Sequence, residues 1–189
     1  MLIGVALVAV AAGLWLWWPR GGPDRPATLR SEGTSALYSL IDSRERDASP
    51  LTVSEVFGPG TASLGALTRG DAEELTDCGE ALDGVSAPGC TQALRARYAG
   101  GAAAGEFVIF NLPDGRAADA LVAALGKDGF VRRTADFDTG RSWAQVRAMG
   151  HYVTVSWVGP VAAGADLTGP QVALDGLTRI VQSRVVNAS

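Results

Sequence analysis

The chain has 189 residues, of which 47% are hydrophobic and 19% are charged, a composition typical of a globular protein. Its length suits one domain with a sizeable core. The formal net charge is -4, which argues against a nucleic acid partner, because a phosphate-binding surface needs a concentration of lysine and arginine.

Residues 2–18 are uncharged and apolar, and this segment ends with Trp15, Trp17 and Trp18. As a helix it would be about 25 Å long, near the shortest length that spans a hydrocarbon core. Tryptophan is enriched where a membrane meets water. We therefore expect residues 1–19 to form a transmembrane helix that anchors the protein by a single pass. A cleaved signal peptide and a buried core helix are the alternatives, and the lack of a basic residue before the apolar run disfavours the first.

Residues 20–33 are rich in proline, glycine and charge, which predicts a flexible linker. Arg20, Arg25 and Arg30 would favour the cytoplasmic side by the positive-inside rule. The two cysteines favour an oxidising compartment instead. We expect the following domain, residues 34–189, to be extracytoplasmic, and a cytoplasm-facing regulator is the alternative.

Two helices are predicted early in this domain. Residues 34–47 carry apolar side chains at helical spacing. Thr52 and Glu55 form a capping-box pattern, which predicts a short helix that Gly58-Pro59-Gly60 ends.

Cys78 and Cys90 are the two cysteines of the chain. The glycines and the proline between them would allow the loop to turn back, so we predict a disulfide of an oxidising compartment. Two free buried thiols, or a redox or metal role, are the alternatives. A redox role usually needs a Cys-x-x-Cys motif and zinc needs four ligands, while His151 is the only further candidate. We therefore expect no metal and no cofactor.

The remaining elements predict an α+β fold. A period of two and apolar runs indicate strands, and helical periods indicate helices. The predicted strands are residues 91–98, 106–112, 130–134, 142–148 and 151–158, and the predicted helices are residues 116–127 and 170–186. We expect one two-layer sandwich with a mostly antiparallel sheet of about five strands and helices on one face.

Arginines along the predicted strands are the candidate binding residues. One sheet face could carry them and meet an anionic glycan, a lipid or an acidic protein. The alternative is a charged outer face that prevents edge pairing. The candidates are Arg95, Arg97, Arg132, Arg133 and Arg147.

His151 is the only histidine, and a general base would need an orienting partner. Asp136 and Asp138 could approach it only through the fold. They also begin a calcium-loop-like stretch that lacks the later ligands. We predict no catalytic residue, and an envelope enzyme that uses His151 with a carboxylate is the alternative.

The segments DCGEALDG, GCTQALRARYAGG, GEFVIFNLPDGRAADAL and GHYVTVSWVG span roughly residues 78–160. This pattern resembles small membrane-anchored proteins of unknown function from high-GC Gram-positive bacteria. The resemblance implies an envelope location and assigns no activity. We therefore predict a non-enzymatic, membrane-anchored interaction or sensor domain outside the cytoplasm, whose partner is an envelope protein or an anionic ligand.

Overall fold

A computed structural model describes residues 22–187. The predicted membrane anchor at residues 1–19 lies outside this range. Within it, none of the helices combines the length and the hydropathy that a membrane span requires.

The centre of the fold is a seven-stranded mixed sheet with the order β1-β8-β9-β6-β5-β3-β2, and β4 and β7 pair separately. Strands β1 and β8 are parallel, and the other neighbours are antiparallel. The strands are β1 (Thr28–Gly33), β2 (Ser63–Leu64), β3 (Leu67–Leu75), β4 (Leu82–Asp83), β5 (Gln92–Gly100), β6 (Ala103–Asn111), β7 (Phe130–Val131), β8 (Trp143–Met149) and β9 (Tyr152–Pro160).

Within residues 22–187, four α-helices and several short 3-10 segments surround the sheet. The α-helices are α1 (Val53–Val56), α2 (Gly115–Lys127), α3 (Thr168–Asp175) and α4 (Arg179–Asn187). The predicted capping box of α1 is confirmed, since Thr52 N donates to Glu55 Oε2 at 2.8 Å. The predicted helix at residues 116–127 is confirmed as α2, which Asp114 caps at its start.

Both faces of the sheet are buried, because helices pack on each. Val108 and Phe110 of β6 belong to the core beneath α2, while Phe107 and Ile109 belong to the core beneath α3 and α4. A strand covered on both faces is apolar throughout. Helix α3 contacts β2 as well as β6, β8 and β9, so the sheet curls around this helix.

The predicted α+β two-layer sandwich, with about five strands and helices on one face, is therefore wrong. The sheet has seven strands and is covered on both sides. Strand β1 lies within the predicted linker, and β3 carries the exposed acids Asp71, Glu73 and Glu74. Edge positions face water and stay polar, so their hydrophobic alternation is weak and their pairing depends on the neighbouring strands.

Other elements differ in extent from their predictions. Residues 34–47 contain a 3-10 segment, Ser35–Ile41, that is kinked at Tyr38. Only Phe130 and Val131 of the predicted strand at residues 130–134 are paired, and their partner is β4. The C-terminal helix predicted at residues 170–186 is divided into α3 and α4 by a 3-10 turn.

Candidate functional site: a groove beside the C-terminal helices

A groove of about 770 Å³ runs beside α3 and α4. It is lined by residues from the 3-10 segment, the β2–β3 turn, β8 and both helices. The curl of the sheet brings β2 and β8, which lie near opposite edges, to the same groove. Its volume falls in the range of small-molecule sites, which are about 300–1,000 Å³.

An ion-pair network includes Arg147 and Asp175, two residues that line this groove. Arg147 of β8 donates through Nη1 to both carboxylate oxygens of Asp175, at 2.5 Å each, and through Nε to Glu32 Oε2 at 2.9 Å. Burial alone would lower the pKa of the Arg147 guanidinium, but the hydrogen bonds to Asp175 and Glu32 raise it above its ordinary value. Arg147 therefore stays charged, and its charge is already matched by protein carboxylates.

The polar network continues under α3. Gln171 Nε2 donates to Ser156 Oγ at 2.9 Å, and Ser156 Oγ lies 3.5 Å from Asp175 Oδ1. Gln171 Oε1 is buried and has no hydrogen-bond partner within residues 22–187. Buried acceptors usually have a hydrogen-bond donor. This amide oxygen is therefore free to accept a hydrogen bond from a ligand or from water.

Arg179 is the exposed cation of the groove. Its Nε donates to Gly176 O at 3.1 Å. No carboxylate within residues 22–187 forms an ion pair with it, unlike Arg147 of β8 and Arg184, which lies five positions further along α4. Val172, which is 69% exposed, lines the same groove. Among the described residues, the groove thus presents a guanidinium without a carboxylate partner together with an exposed apolar side chain.

The predicted arginine face is distributed over both sides of the sheet. Arg95 and Arg97 of β5 share the side that α2 covers. Arg95 binds Glu73 at 2.6 Å, and Arg97 binds Asp71. Arg147 lies on the opposite side, because the residues in register with it on β6 and β5, Ile109 and Leu94, belong to the other core.

Arg132 and Arg133 follow β7. Arg132 donates to Leu82 O at 3.0 Å, and Arg133 binds Asp24 at 3.0 Å and lies over the ring of Phe137. The structure therefore gives the predicted residues local partners and does not gather them on one face. Ligand binding by these arginines stays a prediction.

Glu106 is a buried acid that the sequence analysis did not single out. It is 0% exposed on β6, and its Oε2 accepts hydrogen bonds from Thr134 N at 2.9 Å and Thr134 Oγ1 at 2.8 Å. Burial raises the pKa of this carboxyl, although those hydrogen bonds and the charge of Arg95 act in the opposite direction. The contacts hold the segment after β7 against the sheet, which is a structural role.

His151 is also buried, with 0% of its surface exposed. Its Nδ1 lies 3.2 Å from Leu112 O, and its Nε2 lies 3.5 Å from Asp47 Oδ2. Burial lowers the pKa of the imidazole. Asp138 does not approach His151, since Asp138 N donates to Pro160 O at the far end of β9. The nearby carboxylate is thus Asp47, and a buried imidazole cannot meet a substrate without rearrangement.

Asp47 joins three parts of the fold. Tyr152 Oη donates to Asp47 Oδ2 at 2.8 Å, and Arg184 Nη1 donates to Asp47 Oδ1 at 2.8 Å. Burial and the neighbouring Asp47 carboxylate both raise the pKa of Tyr152. This network fixes α4, one wall of the groove, to the N-terminal part of the domain.

The predicted disulfide between Cys78 and Cys90 is present, with the two Cα atoms 6.1 Å apart. It connects the chain just after β3 with the chain just before β5, and these strands are neighbours in the sheet. Part of the bridge is packed in the core beneath α2.

Within residues 22–187, no group of three or more histidine, cysteine, aspartate or glutamate residues could hold a metal ion. Comparisons with protein-family models, with curated proteins and with solved structures find no match. The chemistry of the groove is therefore the basis on which a function can be assigned.

Proposed function

We propose that this chain is a membrane-anchored, non-enzymatic binding domain outside the cytoplasm, and that its groove binds an anionic ligand, either a small molecule or part of an envelope protein. The observation that carries the proposal is Arg179. It is the groove cation that lacks a carboxylate partner within residues 22–187.

The charges of the groove favour an anion beside Arg179. Asp175, which lines the groove, and Glu32 already neutralise Arg147, so an anion placed beside Arg147 would meet two carboxylates. Arg179 is exposed and can form a charge-assisted hydrogen bond with a ligand carboxylate or phosphate. Val172 and Leu64 also line the groove and can supply apolar contacts.

Other features support the location and the lack of catalysis. The Cys78–Cys90 disulfide suits an oxidising compartment, and the apolar residues 2–18 suit a membrane anchor. His151 is fully buried, with both ring nitrogens near protein acceptors, so it lacks the access that a general base needs.

The binding site is tested with a photo-crosslinking amino acid at position 172 of the full-length protein in its native membrane. We expect a discrete adduct whose yield falls about tenfold in Arg179→Gln, the loss that one charge-assisted hydrogen bond implies. Arg116→Gln is the matched control, because Arg116 is exposed on α2, which packs on the other face of the sheet. An adduct that survives Arg179→Gln, or one that also forms from position 123 on α2, would contradict the assignment.

The location is tested separately with a reporter enzyme fused to the C-terminus. We expect activity from a reporter that works only outside the cytoplasm. Activity from a cytoplasmic reporter would support the cytoplasm-facing alternative instead.

A further inference from the structure

One end of the sheet has uncharged tips. The register places the β2–β3 turn, the β5–β6 turn and the segment after β9 at the same end, where β1 and β8 begin. These three tips comprise residues 63–67, 99–105 and 158–165. None of these residues is charged.

The opposite end of the sheet is strongly charged. Residues 42–47 contain five charged residues in six positions, and they lie beside the start of α2 through the bridge between Ser43 and Asp114. Asp77 and Glu80 follow the end of β3 at this same end. The segments at this end are therefore much more highly charged than the three tips at the other end.

The chain enters the domain at the uncharged end. Arg25 donates to the carbonyls of Leu125, Gly126 and Gly129 at the end of α2, with the shortest distance 2.7 Å. Thr28 N donates to Ser142 O at 3.0 Å at the start of β1. The segment before β1 is thus fixed to the body of the domain instead of forming a long free spacer.

The remaining spacer is short. Three residues, 19–21, separate the apolar segment from residue 22, where the described chain begins. An extended chain spans at most about 3.3–3.6 Å per residue, so these residues reach roughly 10 Å. An anchor in the bilayer would hold this end of the domain at the headgroup region, whose thickness is several ångströms on each side.

The same end exposes side chains that suit this environment. Trp143 is 40% exposed and Val161 is 53% exposed. Trp143 is the first residue of β8, and Val161 N donates to Ala102 O beside the β5–β6 turn. An indole ring is favoured at a membrane interface because its apolar body can lie in lipid while its N–H faces the headgroups.

Charge attraction does not explain such a contact. Arg141 at this end is paired with Asp138 at 2.7 Å, and Asp136 and Asp166 lie nearby on exposed loops. Binding to anionic lipid needs a cluster of lysine and arginine. The exposed Lys127 at the end of α2 is followed by the exposed Asp128, so this end carries charges of both signs. We therefore expect a contact at this end to depend on apolar and aromatic side chains.

We infer that Trp143, Val161 and the three uncharged tips rest against the headgroup region of the bilayer that holds residues 2–18. This inference rests on the membrane anchoring of the proposed function and not on the groove. The groove then opens beside the membrane, while the charged end of the domain points away from it.

The test measures tryptophan fluorescence of the full-length protein in nanodiscs whose zwitterionic lipids carry bromine near the headgroup. The difference between the wild type and Trp143→Phe isolates the emission of Trp143. We expect the brominated lipid to quench most of this component, and high salt or added anionic lipid to leave the quenching unchanged. A matched probe is Leu37→Trp in the Trp143→Phe background, because Leu37 is 79% exposed at the charged end; its emission should not be quenched.

The outcomes separate the two proposals. If Trp143 is unquenched while the tryptophans of the apolar segment are quenched, the anchor holds and the inference about the uncharged end is wrong. Quenching that appears only with anionic lipid would also overturn the apolar contact. If the tryptophans at positions 15, 17 and 18 are not quenched either, the membrane anchoring itself fails.

Discussion

Replacing Asp47 with alanine should destabilise the domain, because its side chain is only 10% exposed although it lies in a loop. The carboxylate accepts hydrogen bonds from Tyr152 Oη and from Arg184 Nη1, both at 2.8 Å, and it lies 3.5 Å from His151 Nε2. The substitution removes all three contacts. It leaves the buried end of Tyr152 without its acceptor.

The expected cost follows from these contacts. A hydrogen bond to a charged group contributes about 1.5–3 kcal/mol, and an orphaned buried hydroxyl costs about 1–3 kcal/mol. The loss at Arg184 is limited, because this guanidinium keeps Glu55 at 3.1 Å and Ser49 O at 2.7 Å. We therefore expect Asp47→Ala to lower the free energy of unfolding by about 3 kcal/mol.

Urea unfolding followed by far-UV circular dichroism measures this loss. Asp42→Ala is the matched control in the same segment, since Asp42 forms an exposed pair with Arg46 at 3.4 Å. Exposed pairs contribute little, so the control should lose no more than about 0.5 kcal/mol. Equal losses in the two variants would show that the Asp47 network does not hold α4 to the domain.

Two further predictions concern the disulfide and the buried histidine. Cys78→Ser combined with Cys90→Ser should lower the free energy of unfolding by about 3 kcal/mol, because the bridge closes a loop of roughly a dozen residues in the unfolded chain; equal urea midpoints for the oxidised wild type and this variant would contradict it. Burial holds the pKa of His151 below its ordinary value of 6.5, so the unfolded chain binds a proton more readily than the folded domain. Stability is then complete above about pH 6.5 and falls as the pH drops below this value, which urea midpoints between pH 7.5 and 5 would measure. His151→Gln should make this slope shallower, and an unchanged slope would assign it to other groups.

Local sequence patterns were enough to predict several elements of this fold. The capping box at Thr52 and Glu55 and the cap of α2 at Asp114 depend on residues within one helical turn. The Cys78–Cys90 pair was predictable because the chain has no other cysteines. Strand β6 was predictable because a central strand is apolar on both faces.

The edges of the sheet were not predictable in the same way. The sequence of β1 predicts a polar linker, but this segment is a strand because β8 supplies its hydrogen bonds. The sequence of β3 predicts an acidic surface, but it pairs with β5, where Arg95 forms an ion pair with Glu73. Whether an edge segment forms a strand depends on its neighbour across the sheet, and this neighbour cannot be identified from the local sequence.

The apolar first segment, the disulfide, the central strands and the helix α2 were predictable from the sequence, since each depends on composition or on contacts within a few residues. Which carboxylate lies near His151 depends on the tertiary fold, because Asp47 is 104 positions away in the chain. The tertiary fold also pairs Arg147 with carboxylates, whereas Arg179 has no carboxylate partner within residues 22–187, and it brings the uncharged tips to the end where the chain enters. Such juxtapositions follow from the curl and the register of the sheet, which arise from packing across the whole domain and not from any single segment.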